Sequence, residues 1–546
     1  MKKVKTLAVM LTVFVIAMFL FSACGSEDPP VQPAATPSAP DATQAPTPTP
    51  PTVFDEIAPI EEDVQFADSI YVVTDGTALS VMNPFSPATS PTASRQAFIM
   101  IFDRLVNPAG DGEFAPSLAT SWDTDDFQTI TMTLRQGVYF QNGDSFTSAD
   151  VIATVEAAHE GLGSMAHDVW RSVETVTAID AHTVQFVLDD VNVEFLFNLS
   201  QIHASILSAR AIAESETNLD ALWTAGTGAY RVVSLSPNDV IVFERNDDFW
   251  GELPITRTQT WFTIPELATR TLMMLNGEAN LNWSISRDDV PMFEEHPDFL
   301  VVHHYNNNPH YISFNMNDPI TGCLYFRRAV AHAVYKPDLA FIAGGVTGVA
   351  IDSPNLFGFA SAFKNTDIPP IPHDLARARE YLAASAWNGE TIVISTAIPT
   401  NIRPAEVLQM QLAQIGLDVS LNVMDVPGFT STVTYRDNQS QMAVYLMPTT
   451  LSAAHMRNGF FPGSALNRAS YNNPYVTELL DRALRTIDTN ERRELYMYIQ
   501  EVVSADMPYI PIFFNHGLII VTNGFGGIGY SPVGDHDLRF AFQIVE

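Results

Sequence analysis

Residues 129–134 read Thr129-Ile130-Thr131-Met132-Thr133-Leu134. Gln136-Gly137, Val138-Tyr139-Phe140, Gln141-Asn142-Gly143-Asp144 and Thr147-Ser148-Ala149-Asp150 follow. The first six alternate polar and apolar, a period of two, which predicts a strand with one buried face. Gln136-Gly137 turns the chain, and 138–140 reads as a second short strand. Asn142-Gly143 tolerates positive φ and marks a tight turn. Thr147, with an acid three residues on, has the spacing of a capped helix start. Hairpin, turn and helix together predict a packed α/β unit.

The same alternation of element types continues outward. Helices are expected over 326–334 and 374–384, with a strand over 391–395. Residues 405–414 read as a helix that breaks at Gly416 and enters a strand over 417–423. Residues 474–486 and 490–505 read as a helical pair, with Asp488 and Glu491 spaced as a capping box. Pro508 and Pro511 end that run, and 510–521 reads as a strand. No short-period repeat is present, which argues against solenoids and propellers.

At about 150 residues per domain, 546 residues set a prior of three to four domain-sized units, or fewer large ones. Hydrophobic residues at 46% and charged residues at 16% exclude a mostly disordered chain. Twenty-eight basic against 62 acidic residues give a net charge of −34. That disfavours nucleic acid as a partner, because phosphate contact needs Lys/Arg clusters. The lysines are Lys2, Lys3, Lys5, Lys336 and Lys364.

The first three lysines form a positive start. An apolar run over 7–21 follows, and then Phe21-Ser22-Ala23-Cys24. This is the order of an export signal. The run of about 15 residues is short of the about 20 that a spanning helix needs. A cysteine at the cut resembles a bacterial lipobox, so 1–23 is expected to be removed and Cys24 lipidated. An uncleaved N-terminal anchor is the alternative. In both cases the rest lies outside the cytoplasmic membrane. Residues 24–67 are rich in Pro, Thr and Ala and predict a tether of polyproline II character. At about 3.1 Å per residue it reaches up to roughly 100 Å. With Cys24 lipidated, Cys323 is left without a partner, and a small buried hydrophobe is its expected role.

Enzyme motifs are mostly absent. There is no Gly-x-x-x-x-Gly-Lys, no His-Glu-x-x-His and no Gly-x-Ser-x-Gly. Gly524-Phe525-Gly526-Gly527-Ile528-Gly529 fits a dinucleotide fingerprint as a string. Tyr530-Ser531-Pro532 follows where a helix would have to begin. His303, His304 and His310 cluster, but neighbours on a strand face opposite ways, so His303 and His304 cannot share a metal. Asp123, Asp125 and Asp126 lack the glycine and distal glutamate of a calcium loop. No catalytic residue, metal or cofactor is expected.

Several strings together resemble one family. They are Ser121-Trp122-Asp123 through Leu134-Arg135-Gln136-Gly137-Val138-Tyr139-Phe140, and Asn142-Gly143-Asp144-Ser145-Phe146-Thr147-Ser148-Ala149-Asp150-Val151. Gly226-Thr227-Gly228-Ala229-Tyr230 and Arg245-Asn246-Asp247-Asp248-Phe249-Trp250-Gly251 add to them. So do Leu275-Asn276-Gly277-Glu278, Phe314-Asn315-Met316-Asn317 and Phe326-Arg327-Arg328-Ala329-Val330. The family is the family 5 extracellular solute-binding proteins, the peptide and nickel receptors of ABC importers. The resemblance covers about 68–513.

It implies an α/β, two-lobed, periplasmic-binding-protein-like fold of type II with an extra subdomain and a hinge between lobes. Lobe I is expected over 69–305 plus 508–546, with the subdomain at about 86–220, and lobe II over 306–507. The implied ligand segments are 77–85, 311–317 and 445–457. They offer Asn83, Phe85, Asn315, Asn317, Tyr445, Thr449, Thr450, His455 and Arg457. The implied partners are a small solute, with oligopeptide leading, and ABC permease subunits, the receptor itself being a monomer. One departure stands out. No Asp or Glu occurs over 443–470, where peptide receptors of the family carry an acid for the peptide amine. Alternatives are a non-peptide or chelated-metal receptor, a signalling or adhesion lipoprotein, and an exported hydrolase.

Overall fold

The computed structural model describes residues 64–545 except 76–82, 84, 86–91, 111–112, 161–163, 216–218, 284, 287, 305–308, 346–347, 352–362, 398–400, 434–437, 447–453, 465, 516 and 531–535. The expected signal, Cys24 and nearly all of the tether lie outside the described residues.

Strand β1 (Ser69–Thr74) and helix α1 (Thr92–Ile101) come first. A four-stranded antiparallel sheet follows, made of β2 (Ala119–Asp123), β3 (Thr129–Leu134), β4 (Val173–Asp180) and β5 (Thr183–Leu188), in the order β2-β3-β5-β4. Helix α2 (Ser148–Glu160) lies between β3 and β4. β3 keeps the alternation read in its sequence: Ile130, Met132 and Leu134 are buried. The Thr147 N–H donates to Asp150 Oδ2 at 2.9 Å, the predicted capping geometry. The second hairpin strand expected over 138–140 is not formed. Tyr139 makes an isolated bridge to Ser145, because β2 and β5 already occupy both edges of β3.

The chain continues through β6 (Tyr230–Ser236), β7 (Val240–Arg245), β8 (Thr258–Thr263), α3 (Leu267–Leu275), β9 (Leu281–Asn282) and β10 (Phe299–His304). It then builds a second unit. This comprises β11 (His310–Phe314), α4 (Leu324–Ala333), β12 (Gly348–Ala350), α5 (Leu375–Ala383), β13 (Ile392–Ala397), α6 (Ile402–Ala413), β14 (Val419–Met424), β15 (Met442–Leu446), α7 (Ala454–Phe460), α8 (Pro474–Arg485), α9 (Thr489–Asp506) and β16 (Tyr509–Asn515). Finally β17 (Gly517–Thr522) returns to the first unit.

The first main sheet has the order β10-β17-β9-β1-β8-β7-β6, and the second β12-β16-β11-β15-β13-β14. The single strand expected over 510–521 is therefore two strands in two sheets. The chain leaves the second unit between Asn515 and Gly517, whereas the boundary was expected at 508.

One apolar core joins the first sheet to the four-stranded subdomain: Ile70, Tyr230 and Trp261 share it with Met132, Trp170 and Phe186. The subdomain is held close through residues 226–229. The Gly228 N–H donates to Ile101 O at 2.8 Å, and a Cβ there would lie 2.5 Å from the Ile101 carbonyl carbon. Only glycine lets these two backbones meet. The second unit has three layers. Along β15, Met442 and Val444 face the α4–α6 side, while Ala443 and Tyr445 face α7–α9. The charge is unevenly divided. Residues 64–309 with 516–546 carry 11 basic and 36 acidic residues, net −25; residues 310–515 carry 14 and 18, net −4.

Cys323 is buried at the start of α4, as expected of it.

Candidate functional site at the crossing strands

Two segments join the units, and they run side by side. β10 ends at His304, which pairs with Gly517; β11 begins at His310, which pairs with Phe513. β1 is parallel to β8 and β9, and β10 points the same way, since β9 and β10 are both antiparallel to β17. These strands all end toward the crossing. In the second unit β15 is antiparallel to β11 and ends opposite His310, and β13 is parallel to β15. The strand ends of both units thus converge on one edge. In sheets with parallel strands, ligands are held beyond the carboxyl ends of the strands, where the topology switches. The carboxyl ends of β1, β9, β13 and β15 lie at that edge.

A chain of rings runs from the first core to this edge. Phe243 meets Trp261 at 4.9 Å, Trp261 meets Trp283 at 5.1 Å, Trp283 meets His536 at 6.1 Å and His536 meets His304 at 4.4 Å. Trp283 is half-buried and directly follows β9. His536 Nε2 lies 2.9 Å from His304 Nε2, and its Nδ1 lies 2.6 Å from Gln96 Nε2 on α1. With the Gln96 amide donating to Nδ1, His536 carries its proton on Nε2 and donates to His304. Burial pushes the His536 imidazole well below its ordinary range, and His304 and Arg95 reinforce this, so the ring is neutral at pH 7. Beyond the crossing, His310 stacks on Phe513 at 4.3 Å. As expected of strand neighbours, His304 is buried and His303 exposed.

The expected ligand residues fall in different places. Asn83 is buried, and its Oδ1 accepts from the Phe85 N–H at 2.9 Å, a turn closed on itself. Phe85 belongs to the first core. Asn315 and Asn317 lie past the far end of β11 from the crossing. Asn315 donates to Asn438 O at 3.0 Å and accepts from the Asn317 N–H at 3.0 Å. Tyr445 is buried against Phe429 at 5.7 Å, with the Arg468 guanidinium 4.9 Å over its ring, and burial pushes its phenol up to about 12. Arg457 pairs with Asp481 at 3.0 Å and lies over Phe461. His455 is on α7, and Thr449 and Thr450 lie outside the described residues. Trp283, His536 and Gln96 were not singled out by sequence. His536 and His304 are 232 residues apart, and no spacing could have connected them. Asp75, exposed just after β1, brings a carboxylate to the same edge.

Among the described residues, no group of three or more His, Cys, Asp or Glu is placed to hold a metal, and no helix is long and apolar enough to cross a membrane. Residues 113–466 match the model of the bacterial extracellular solute-binding proteins, family 5 Middle. A curated relative is the glutathione-binding protein GsiB of Escherichia coli (strain K12), 24% identical over 88% of this chain and 94% of the relative. Two solved structures share the fold. One is the periplasmic binding protein DppA from Helicobacter pylori in complex with peptide STSA (TM-score 0.75, 24% identity, 88% of this chain and 99% of that one). The other is NikA from Brucella suis in complex with Fe(III)-EDTA (TM-score 0.77, 20% identity, 87% and 99%). Two α/β lobes, a paired crossing and this match lead to one conclusion: the chain belongs to the bacterial extracellular solute-binding proteins of family 5, a family of receptors and not of enzymes.

Proposed function

We propose that the protein is the extracytoplasmic receptor of an ABC importer, that it binds oligopeptides beside the crossing strands, and that it delivers them to a permease. The observation that carries this is the convergence of strand ends from both lobes on one edge. A solute lying there touches both lobes only when they are closed, so its differential affinity shifts the population toward closure. Peptide is favoured by the relatives' ligands, glutathione and peptide STSA. Asp75 lies at the same edge, in the field of Arg270, and a peptide amine needs a carboxylate once desolvated, which 443–470 does not offer. A second reading, a non-peptide or chelated-metal solute, draws on that missing acid and on the likeness to NikA.

Native mass spectrometry of the protein purified from its own host, followed by denaturation and identification of what is released, separates the two. A ladder of peptide masses is expected. A single non-peptide mass, or a metal with its chelator, replaces the first reading with the second.

The reading includes a lipid on Cys24 that holds the body to the membrane through the tether. The expected intact mass of the membrane-extracted protein carries a diacylglyceryl group, and Cys323 then reacts as a thiol. Cys24→Ser moves the protein to the soluble fraction. An intact mass with no lipid refutes the anchor.

A further inference from the structure

The two lobes also touch away from the crossing. Asp190 follows β5, and its Oδ2 accepts from Arg485 at the last turn of α8, at 2.6 Å from Nη2 and 2.8 Å from Nε. Three residues on, the Val193 N–H donates to Leu484 O at 3.2 Å. The next residue, Glu194, lies in the field of Tyr496 on α9. Asp190 and Arg485 are 295 residues apart, and the chain connects their lobes only through the crossing. Any rotation about the crossing that separates the lobes breaks these bonds together.

We propose that this contact is a latch that holds the lobes closed, whatever solute lies between them. Three features fit it for that. The last carbonyls of a helix have no partner inside the helix, so Leu484 O is an acceptor ready for a donor from outside. Arg482 and Arg485 lie in the last turn of α8, where the helix dipole favours cations, and Asp190 meets that end from a lobe of net charge −25. Both partners of the ion pair are about half exposed, 56% for Arg485 and 52% for Asp190, so the bond forms and breaks in contact with water and salt. Arg485 also lines an open cavity of about 640 Å³ along α8, with Thr477, Glu478 and Asp481, so this face is open beside the contact. A surface pair of this kind hardly affects folding. It matters for a closure equilibrium, in which a few-fold shift changes the populated state.

The test uses the ligand-free full chain, so it does not depend on peptide being the solute. Hydrogen exchange at the Val193 amide and small-angle scattering are measured for wild type, Asp190→Asn, Arg485→Gln and the swap Asp190→Arg with Arg485→Asp. In about 20 mM salt each single variant is expected to lose about 3- to 10-fold of the Val193 protection and to show a larger radius of gyration. Wild type in about 1 M salt should match the single variants. The swap should recover both readouts, which a merely local loosening would not do. Unchanged protection and radius in the single variants, a smaller radius, or a swap that fails to recover with secondary structure intact would each overturn the latch. Identification of the released solute is unaffected by any of these outcomes.

Discussion

Arg539→Met is expected to lower the unfolding free energy by about 3–4 kcal/mol, a large effect for one side chain. Arg539 is 17% exposed and sits between two acids. Its Nη2 reaches Asp537 Oδ2 at 2.6 Å and its Nε reaches Asp537 Oδ1 at 3.0 Å. Asp103, 3% exposed, lies 3.7 Å from Nη1 and accepts from Thr227 Oγ1 and Trp250 Nε1, both at 2.9 Å. One cation thus serves a buried carboxylate, Asp103, and a half-buried one, Asp537, and ties the C-terminal segment to the end of α1. Burial pushes the Asp537 carboxyl up, but the charge and hydrogen bonds of Arg539 outweigh it, and the group ends below its ordinary range. A depressed carboxyl stabilises the fold at neutral pH, and that contribution is lost as pH falls through its folded value. Without the arginine the sign reverses. The stranded Asp537 carboxylate resists ionisation and prefers to bind a proton. The deficit of the variant in urea unfolding should therefore be largest near pH 7.5 and shrink toward pH 5. A deficit below about 1 kcal/mol, or one that grows on acidification, would contradict this account.

The sequence was most legible where one local rule decided the outcome. The alternation of residues 129–134 placed β3 and its buried face. The caps at Thr147 and Asp488 began α2 and α9, and the Asp488 side chain accepts from the Glu491 N–H at 2.8 Å. Gly416 ended α6, with φ of +88°. It was least legible where neighbours far along the chain decide. Residues 138–140 have strand composition, yet β3 had no free edge to offer them. Residues 510–521 look like one strand because both halves are buried apolar runs, and the change of sheet between Asn515 and Gly517 leaves no mark in hydropathy. Tyr445 illustrates the limit for the site. Its strand, β15, ends at the crossing, but position along a strand does not say which face a side chain takes. Here the ring belongs to the α7–α9 core. The family strings mark packing as much as function: Gly228 meets the end of α1, Asn246 Nδ2 donates to Gly228 O at 3.1 Å, and Arg245 ties its own loop to Asp247 and Pro254 O.

Gly517→Ala tests the crossing itself. Gly517 opens β17 opposite His304, and a Cβ there would lie 1.9 Å from Cε1 and 2.0 Å from Nε2 of that ring. No Cβ tolerates such contacts, so the ring must leave, and its bond to His536 breaks. The expected loss is about 2–4 kcal/mol, from overpacking plus a buried donor left without its acceptor. The pH dependence identifies the cause. His536 is held neutral in the fold, while an unfolded histidine titrates near 6.5, so the unfolded chain takes up a proton that the native one refuses. Wild-type stability should therefore decline as pH falls below about 6.5. In the variant the neighbour that helps to depress His536 is displaced, so its curve should be flatter and approach that of wild type near pH 5. Thermal unfolding followed by tryptophan emission reads this. The double variant Gly517→Ala with His304→Ala removes the clash but not the lost bond. It should regain part of the stability and stay flat in pH. A double variant as unstable as the single would mean that the backbone of β10, and not the imidazole, resists the methyl group. The crossing would then be fixed by strand pairing alone.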